Sequence, residues 1–300
     1  MSILSRVFAA LVVLVALLTA CAPGSAERTE IIVTTTILGD ITRAIVGDAA
    51  PVAVLMRPGA DPHSFAVSAR DAAVFDRAAL VVHNGLGLEE GVARHVTAAA
   101  DAGIPTLAVG DHVDPLAYSD GVPDPHFWTD PRRVRRAATA IGERVAELDG
   151  VDAAAVRQRT ADYLAELDRL DRDMADRFAA LPAERRVLVT NHHVFGYLAQ
   201  RFDFRVLGAV VPSGTTLASP SAADLDSLAT AVRTARVGAI FVDSSQPDRL
   251  ARVLAERVGL DVRVLALHTE SLSEPGGGAE TYLEMMRANT AALVAGLSAP

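Results

Sequence analysis

Apolar and polar positions alternate along this chain in two recurring lengths: short β-branched runs, and longer stretches with apolar residues three and four apart. Residues 30–36 read as a first strand, followed by a helix from about Ile41. A strand over residues 51–56 leads into a loop, 57–65, carrying Pro58, Gly59 and Pro62, then a helix from about Ser68. Strands over 79–83 and 106–109 enclose a helix over 89–100, and the loop 110–125 leads to a helix over 131–148. In that helix Val134, Ala138, Ile141, Val145 and Leu148 step by four and three along one face, with Asp130 placed as N-cap and Pro131 at the first helical position.

The next segment differs in kind. Across residues 152–181 the apolar positions Val156, Tyr163, Leu167, Leu170, Met174, Phe178 and Leu181 keep helical spacing, with no glycine or proline before Pro182. About 28 helical residues would extend ~42 Å, long for one α/β unit, so the run is read as a rigid helix joining two lobes. Strands over 186–190, 204–210, 237–242 and 262–267 then alternate with helices from Phe195, Ser221 and Leu250, and a last helix covers 280–297. The predicted fold class is α/β: two Rossmann-like lobes, each with a mostly parallel four-stranded sheet. The organisation read from this pattern is a leader over residues 1–20, a tether over 21–29, lobes over 30–151 and 182–300, and a linking helix over 152–181.

Composition narrows the partners. Of 300 residues half are hydrophobic, enough for one large core or two ordinary ones, and all 28 basic residues are arginine. The net charge of −9 becomes −10 if residues 1–20 are removed, because only Arg6 is lost. An acidic balance speaks against nucleic acid and gives no help at an anionic membrane surface. Arg6 precedes an apolar run over 7–18, too short for an ordinary membrane span and suited to a signal-peptide core. Leu18-Thr19-Ala20-Cys21 resembles a bacterial lipoprotein signal, which implies lipidation of Cys21 and an extracytoplasmic chain anchored to the cell membrane. Cys21 is the single cysteine, so neither an intramolecular disulfide nor a cysteine-based zinc site is available.

Four motifs fall where predicted strands end: Asp61-Pro62-His63, Asp124-Pro125-His126, Thr190-Asn191-His192-His193 and Thr269-Glu270. In open α/β sheets ligands bind beyond the carboxyl ends of the strands. His63, His126, His192 and Glu270 would supply three imidazoles and one carboxylate, a four-ligand set suited to zinc, with manganese as the alternative. Asp243 also ends a strand and is a competing carboxylate, or a support for a ligand histidine. His193 and His268 neighbour the proposed ligands. His83 is expected in the core, His95 on an exposed helix face, and His112 in a solvated loop with Asp111, Asp114, Asp120 and Asp124.

The residues Pro58 to Phe65, Asp124 to Pro131, Thr190-Asn191-His192 with Phe195-Gly196-Tyr197, and Thr269 to Leu272 together resemble the cluster A-I substrate-binding proteins of ABC importers, which handle zinc and manganese. The resemblance spans essentially the whole mature chain. It implies two lobes with limited closure on binding, a membrane permease as partner, a monomeric carrier without catalysis, and His63, His126, His192 and Glu270 as ligands. Histidine at position 192, where manganese members often carry glutamate, leans toward zinc. Glu270 is one methylene longer than the aspartate common at that place, and the loop over 111–124 is too short for the histidine-rich insertion of many zinc members. Two readings from other classes are a secreted zinc hydrolase, with Glu270 or Asp243 as general base, and a metal-dependent adhesin. The hydrolase lacks a His-Glu-x-x-His helix, and its ligands would be spread over both lobes.

Overall fold

The computed structural model describes residues 30–118 and 121–298. The leader, the tether and Cys21 lie outside the described residues. The order of elements is β1 (Glu30–Val33), α1 (Thr36–Val46), β2 (Val52–Val54), a single turn α2 (Ala69–Ala72), β3 (Ala78–His83), α3 (Ala93–Asp101), β4 (Thr106–Ala108), α4 (Pro131–Val145) and α5 (Ala153–Ala179). The second half runs β5 (Val187–Thr190), α6 (Gly196–Phe202), β6 (Arg205–Ala209), α7 (Ala222–Ala235), β7 (Ala239–Asp243), α8 (Arg249–Val258), β8 (Arg263–Leu267) and α9 (Tyr282–Ser298). Each half forms a four-stranded parallel sheet, ordered β2-β1-β3-β4 and β6-β5-β7-β8. The fold is two α/β lobes joined by one long helix, with the histidine cluster in the cleft between them.

The linking helix is unbroken over 27 residues, begun by Asp152, whose carboxylate accepts from Ala154 N and Ala155 N. Its buried stripe, from Val156 through Leu167 and Met174 to Phe178, belongs to one core that contains Ile31 and Ile41 of the first half and Phe241 and Leu293 of the second. Smaller apolar clusters cover the outer faces of the two sheets. The helix is thus a central packing layer as well as a connection. On it, buried Asp171 accepts from Arg132 Nε at 3.2 Å and from Arg201 Nε and Nη2 at 2.8 and 2.6 Å, tying a side chain of each half to the helix.

Several expected boundaries move for local reasons. The first helix starts at Thr36, not near Ile41, because the Thr35 hydroxyl caps it by accepting from Leu38 N. The helix expected from Ser68 is one turn with a Ser68–Asp71 capping box. The helix expected from Glu89 begins at Ala93, since Glu89 is buried and turned back onto the preceding loop. His83 and His95 are both half-buried, which corrects the core and exposed placements, and His95 stacks on Phe75. Part of the expected solvated loop is a short helical turn, Val109–His112, and Asp124 at its far end is buried.

Candidate metal centre

His63, His126, His192 and Glu270 leave four different strand ends and meet in the cleft, each offering one donor atom within 4.8 Å of the others. All four are buried, and among the described residues this is the one such group. The donor separations are 3.3 Å for His63 Nε2 to His126 Nε2, 3.0 Å for His192 Nε2 to Glu270 Oε1, and 3.8 Å for each of His63 and His126 to Glu270. A tetrahedron with bonds of about 2.0–2.2 Å has edges of about 3.3–3.6 Å, so small shifts of these side chains would gather the donors around one cation. Both carboxylate oxygens of Glu270 and both ring nitrogens of His192 are buried without a hydrogen-bond partner. Buried polar atoms are rarely left so unless a ligand completes them.

Three of the four loops are steadied by a nearby aspartate. Asp61 Oδ1 accepts from His63 N at 3.0 Å. Asp124 Oδ1 accepts from His126 N at 3.0 Å and lies 2.7 Å from its Nδ1, which occupies that nitrogen and turns Nε2 to the centre. Asp243 Oδ2 accepts from Thr269 N at 2.9 Å, Glu270 N at 3.1 Å and the Thr269 hydroxyl. The expectation that Asp243 supports a histidine is therefore corrected: its carboxylate organises the Glu270 loop, because β7 and β8 are neighbours and end side by side. His192 is tethered through its backbone, with the Thr190 hydroxyl donating to its carbonyl at 2.6 Å, and its ring packs against those of His63 and His126.

His193 and His268 stand outside the cluster. The His193 ring packs edge-on against Tyr118, and His268 Nδ1 pairs with the Ser244 hydroxyl at 3.1 Å. Three contributors are not assigned from sequence: Asp61 and Asp124 as supports of His63 and His126, and Trp128, whose Nε1 donates to Thr269 O at 2.7 Å across the cleft. The signal for the first two was the repeated Asp-Pro-His in which each aspartate, two residues ahead, caps the histidine amide. Gly59 shows how closely the halves approach: at φ +74 it donates its N–H to Ser271 Oγ at 2.9 Å.

Electrostatics favour a cation and neutral imidazoles. Burial, then the neighbouring His126 and His192, push His63 down to about 2, and burial holds His192 down at about 4. Burial raises the Glu270 carboxyl well above its ordinary range, opposed by His126 and reinforced by Asp243, Asp61 and Asp124. Four carboxylates thus surround the centre, and a divalent charge relieves their mutual repulsion.

Residues 31–296 match the family described as the periplasmic component A of a zinc-uptake complex. The chain belongs to this family. Among relatives of this zinc-uptake family, the zinc-binding protein TroA of Treponema pallidum is 29% identical over 282 residues, covering 91% of each chain. The manganese-binding lipoprotein MntA of Halalkalibacterium halodurans is 26% identical over 272 residues, covering 91% of this chain and 89% of that one. The solved TroA structure superposes with a TM-score of 0.85 at 28% identity, over 90% of this chain and 99% of that one. The Mn-bound periplasmic metal-binding protein of Candidatus Liberibacter asiaticus gives 0.80 at 27%, with the same coverage. The family consists of solute-binding transport components, not enzymes. Among the described residues no helix is long and apolar enough to cross a membrane.

Proposed function

We propose that this protein captures one zinc ion outside the cytoplasm, on His63, His126, His192 and Glu270, and delivers it to an ABC permease. The observation that carries the reading is the buried cluster of three imidazoles and one carboxylate, with both carboxylate oxygens of Glu270 lacking a protein hydrogen-bond partner. Four protein ligands close a tetrahedral shell and leave no position for a reactive water, which suits a carrier better than a hydrolase. The three-nitrogen set favours zinc, and manganese, the metal in several relatives' names, is the second reading. Residues 1–20 would direct export, Cys21 would carry the lipid anchor, residues 21–29 would be the tether, and the carrier would act as a monomer with lobes 30–151 and 182–300.

Metal content and competitive titration of residues 22–300, beside a His192→Ala variant, test this. One zinc per chain, held against excess manganese and weakened by the substitution, is expected. A preference for manganese would keep the carrier and change its cargo. Absence of stoichiometric metal would overturn the reading.

A further inference from the structure

Beyond the four proposed ligands, a buried carboxylate beside the cluster gathers bonds from both halves of the molecule. Asp61 is 9% exposed, and its two oxygens divide their work. Oδ1 accepts from His63 N at 3.0 Å, within its own loop. Oδ2 accepts from Ser64 Oγ at 2.9 Å and, across the cleft, from Thr216 Oγ1 at 2.7 Å and Gln246 Nε2 at 3.0 Å.

The two partners from the second half are each coupled to a different ligand loop. Thr216 sits in the loop after β6, which is stitched to the His192 loop by Val211 N to Asn191 O at 2.7 Å and His193 N to Ser213 O at 2.9 Å. Inside that loop, Thr215 N donates to Ser213 Oγ at 3.3 Å, which links Thr216's neighbour to Ser213. Gln246 follows β7, and its N–H donates to the carbonyl of Asp243, the residue that holds Thr269 and Glu270. One carboxylate oxygen therefore joins the His63 loop to the His192 loop through Thr216 and to the Glu270 loop through Gln246.

We infer that Asp61 is a positioning residue acting as a latch: with Thr216 and Gln246 it holds the cleft shut and sets how long the metal stays bound. This rests on the carrier reading given above. None of the three side chains belongs to the ligand cluster, so opening the latch leaves the donor set intact and changes the rate at which the loops part. A hydrogen bond to a charged acceptor is stronger than a neutral one and, partly buried, is not replaced at once by water. Separation of the lobes must break two such bonds, whereas a metal entering lobes already parted breaks none. The latch thus acts on dissociation and leaves association alone.

The test uses Zn2+ alone, released into a chromogenic chelator and followed by stopped flow, with residues 22–300 of the parent, Thr216→Val, Gln246→Leu, the double variant and Thr216→Ser. Each single removal is expected to speed zinc dissociation roughly tenfold to a hundredfold, with association unchanged and the metal-free protein still folded. Thr216→Ser, which keeps the hydroxyl, should restore the parent rate. In hydrogen exchange, zinc should protect amides over 211–217 in the parent and not in the double variant. Unchanged dissociation in the double variant, or a serine that fails to rescue, would overturn the latch while the parent still bound one zinc. A parent that binds no zinc would instead overturn the carrier reading itself.

Discussion

The two sheets have the same strand order and use their strand ends differently. The fourth strands agree: β4 leads to His126 and β8 to Glu270, and each residue is steadied by an aspartate, Asp124 or Asp243. The other ends diverge. The loop after β2 supplies His63, whereas the loop after β6 supplies Thr216; the end of β1 gives hydroxyls at Thr34 and Thr36, whereas the end of β5 gives His192. A repeated scaffold therefore does not dictate a repeated site. It fixes where loops converge, and each loop is free to carry a ligand, a support or a bridge.

If the matched positions form the anchored part of the centre, removing them should cost most. Structural zinc binding of about 10–16 kcal/mol shared over four ligands is about 3 kcal/mol each, or roughly 100-fold in affinity. His126→Ala and Glu270→Ala are expected to weaken zinc by at least about that factor. His192→Ala should cost less, because no carboxylate fixes its ring as Asp124 fixes that of His126. Competitive titration of the three variants gives the ranking, and His192→Ala as the most damaging would break the comparison.

A smaller effect isolates the aspartates. Asp124→Asn keeps the shape and removes the charge facing His126 Nδ1, so a loss of roughly 10- to 100-fold in zinc affinity is expected. Equal affinity in parent and variant would show that the ring is held by packing, including its edge-on contact with Trp128.

How far the sequence spoke for itself depended on the range of the interaction. Periodicity and caps placed every strand and the linking helix, and Asp130 caps α4 with Pro131 at its first position, as its motif predicts. The four residues that meet in the cleft were visible because strand-end loops of α/β sheets converge. Contacts between distant segments were not legible. Asp61 to Gln246, Trp128 to Thr269 and Thr34 to Glu89 depend on tertiary packing, which no local spacing encodes. Asp243 was placed at the right strand end and given the wrong neighbour, since which loop it faces is set by the pairing of β7 with β8.

Protons provide a finer probe. In the metal-free protein the Glu270 carboxyl is raised by burial and by Asp243, Asp61 and Asp124, so a cation must displace its proton at a pH where an ordinary carboxylate is already ionised. His63 and His192, lowered to about 2 and about 4, carry no proton to displace above pH ~5. Zinc affinity should fall as pH is lowered from neutrality toward the ordinary carboxylate range, by up to about tenfold per unit for one proton. Glu270→Gln should bind more weakly and flatten the dependence. A parallel slope in the variant would assign the proton to another group.

The smallest effect concerns the strap between the matched loops. Trp128 donates to Thr269 O from the turn that follows His126, and Tyr282 in turn donates its hydroxyl to Trp128 O at 2.8 Å. Trp128→Phe removes one hydrogen bond and leaves a buried carbonyl without a donor, a loss of about 1–3 kcal/mol in stability. For a chain of this size that lowers Tm by roughly 2–4 °C per kcal/mol. Zinc affinity should change little, because Asp124 and Asp243 hold His126 and Glu270 independently of the strap. A variant that melts like the parent but binds zinc much more weakly would reverse this division, making the strap a part of the centre and the aspartates its supports.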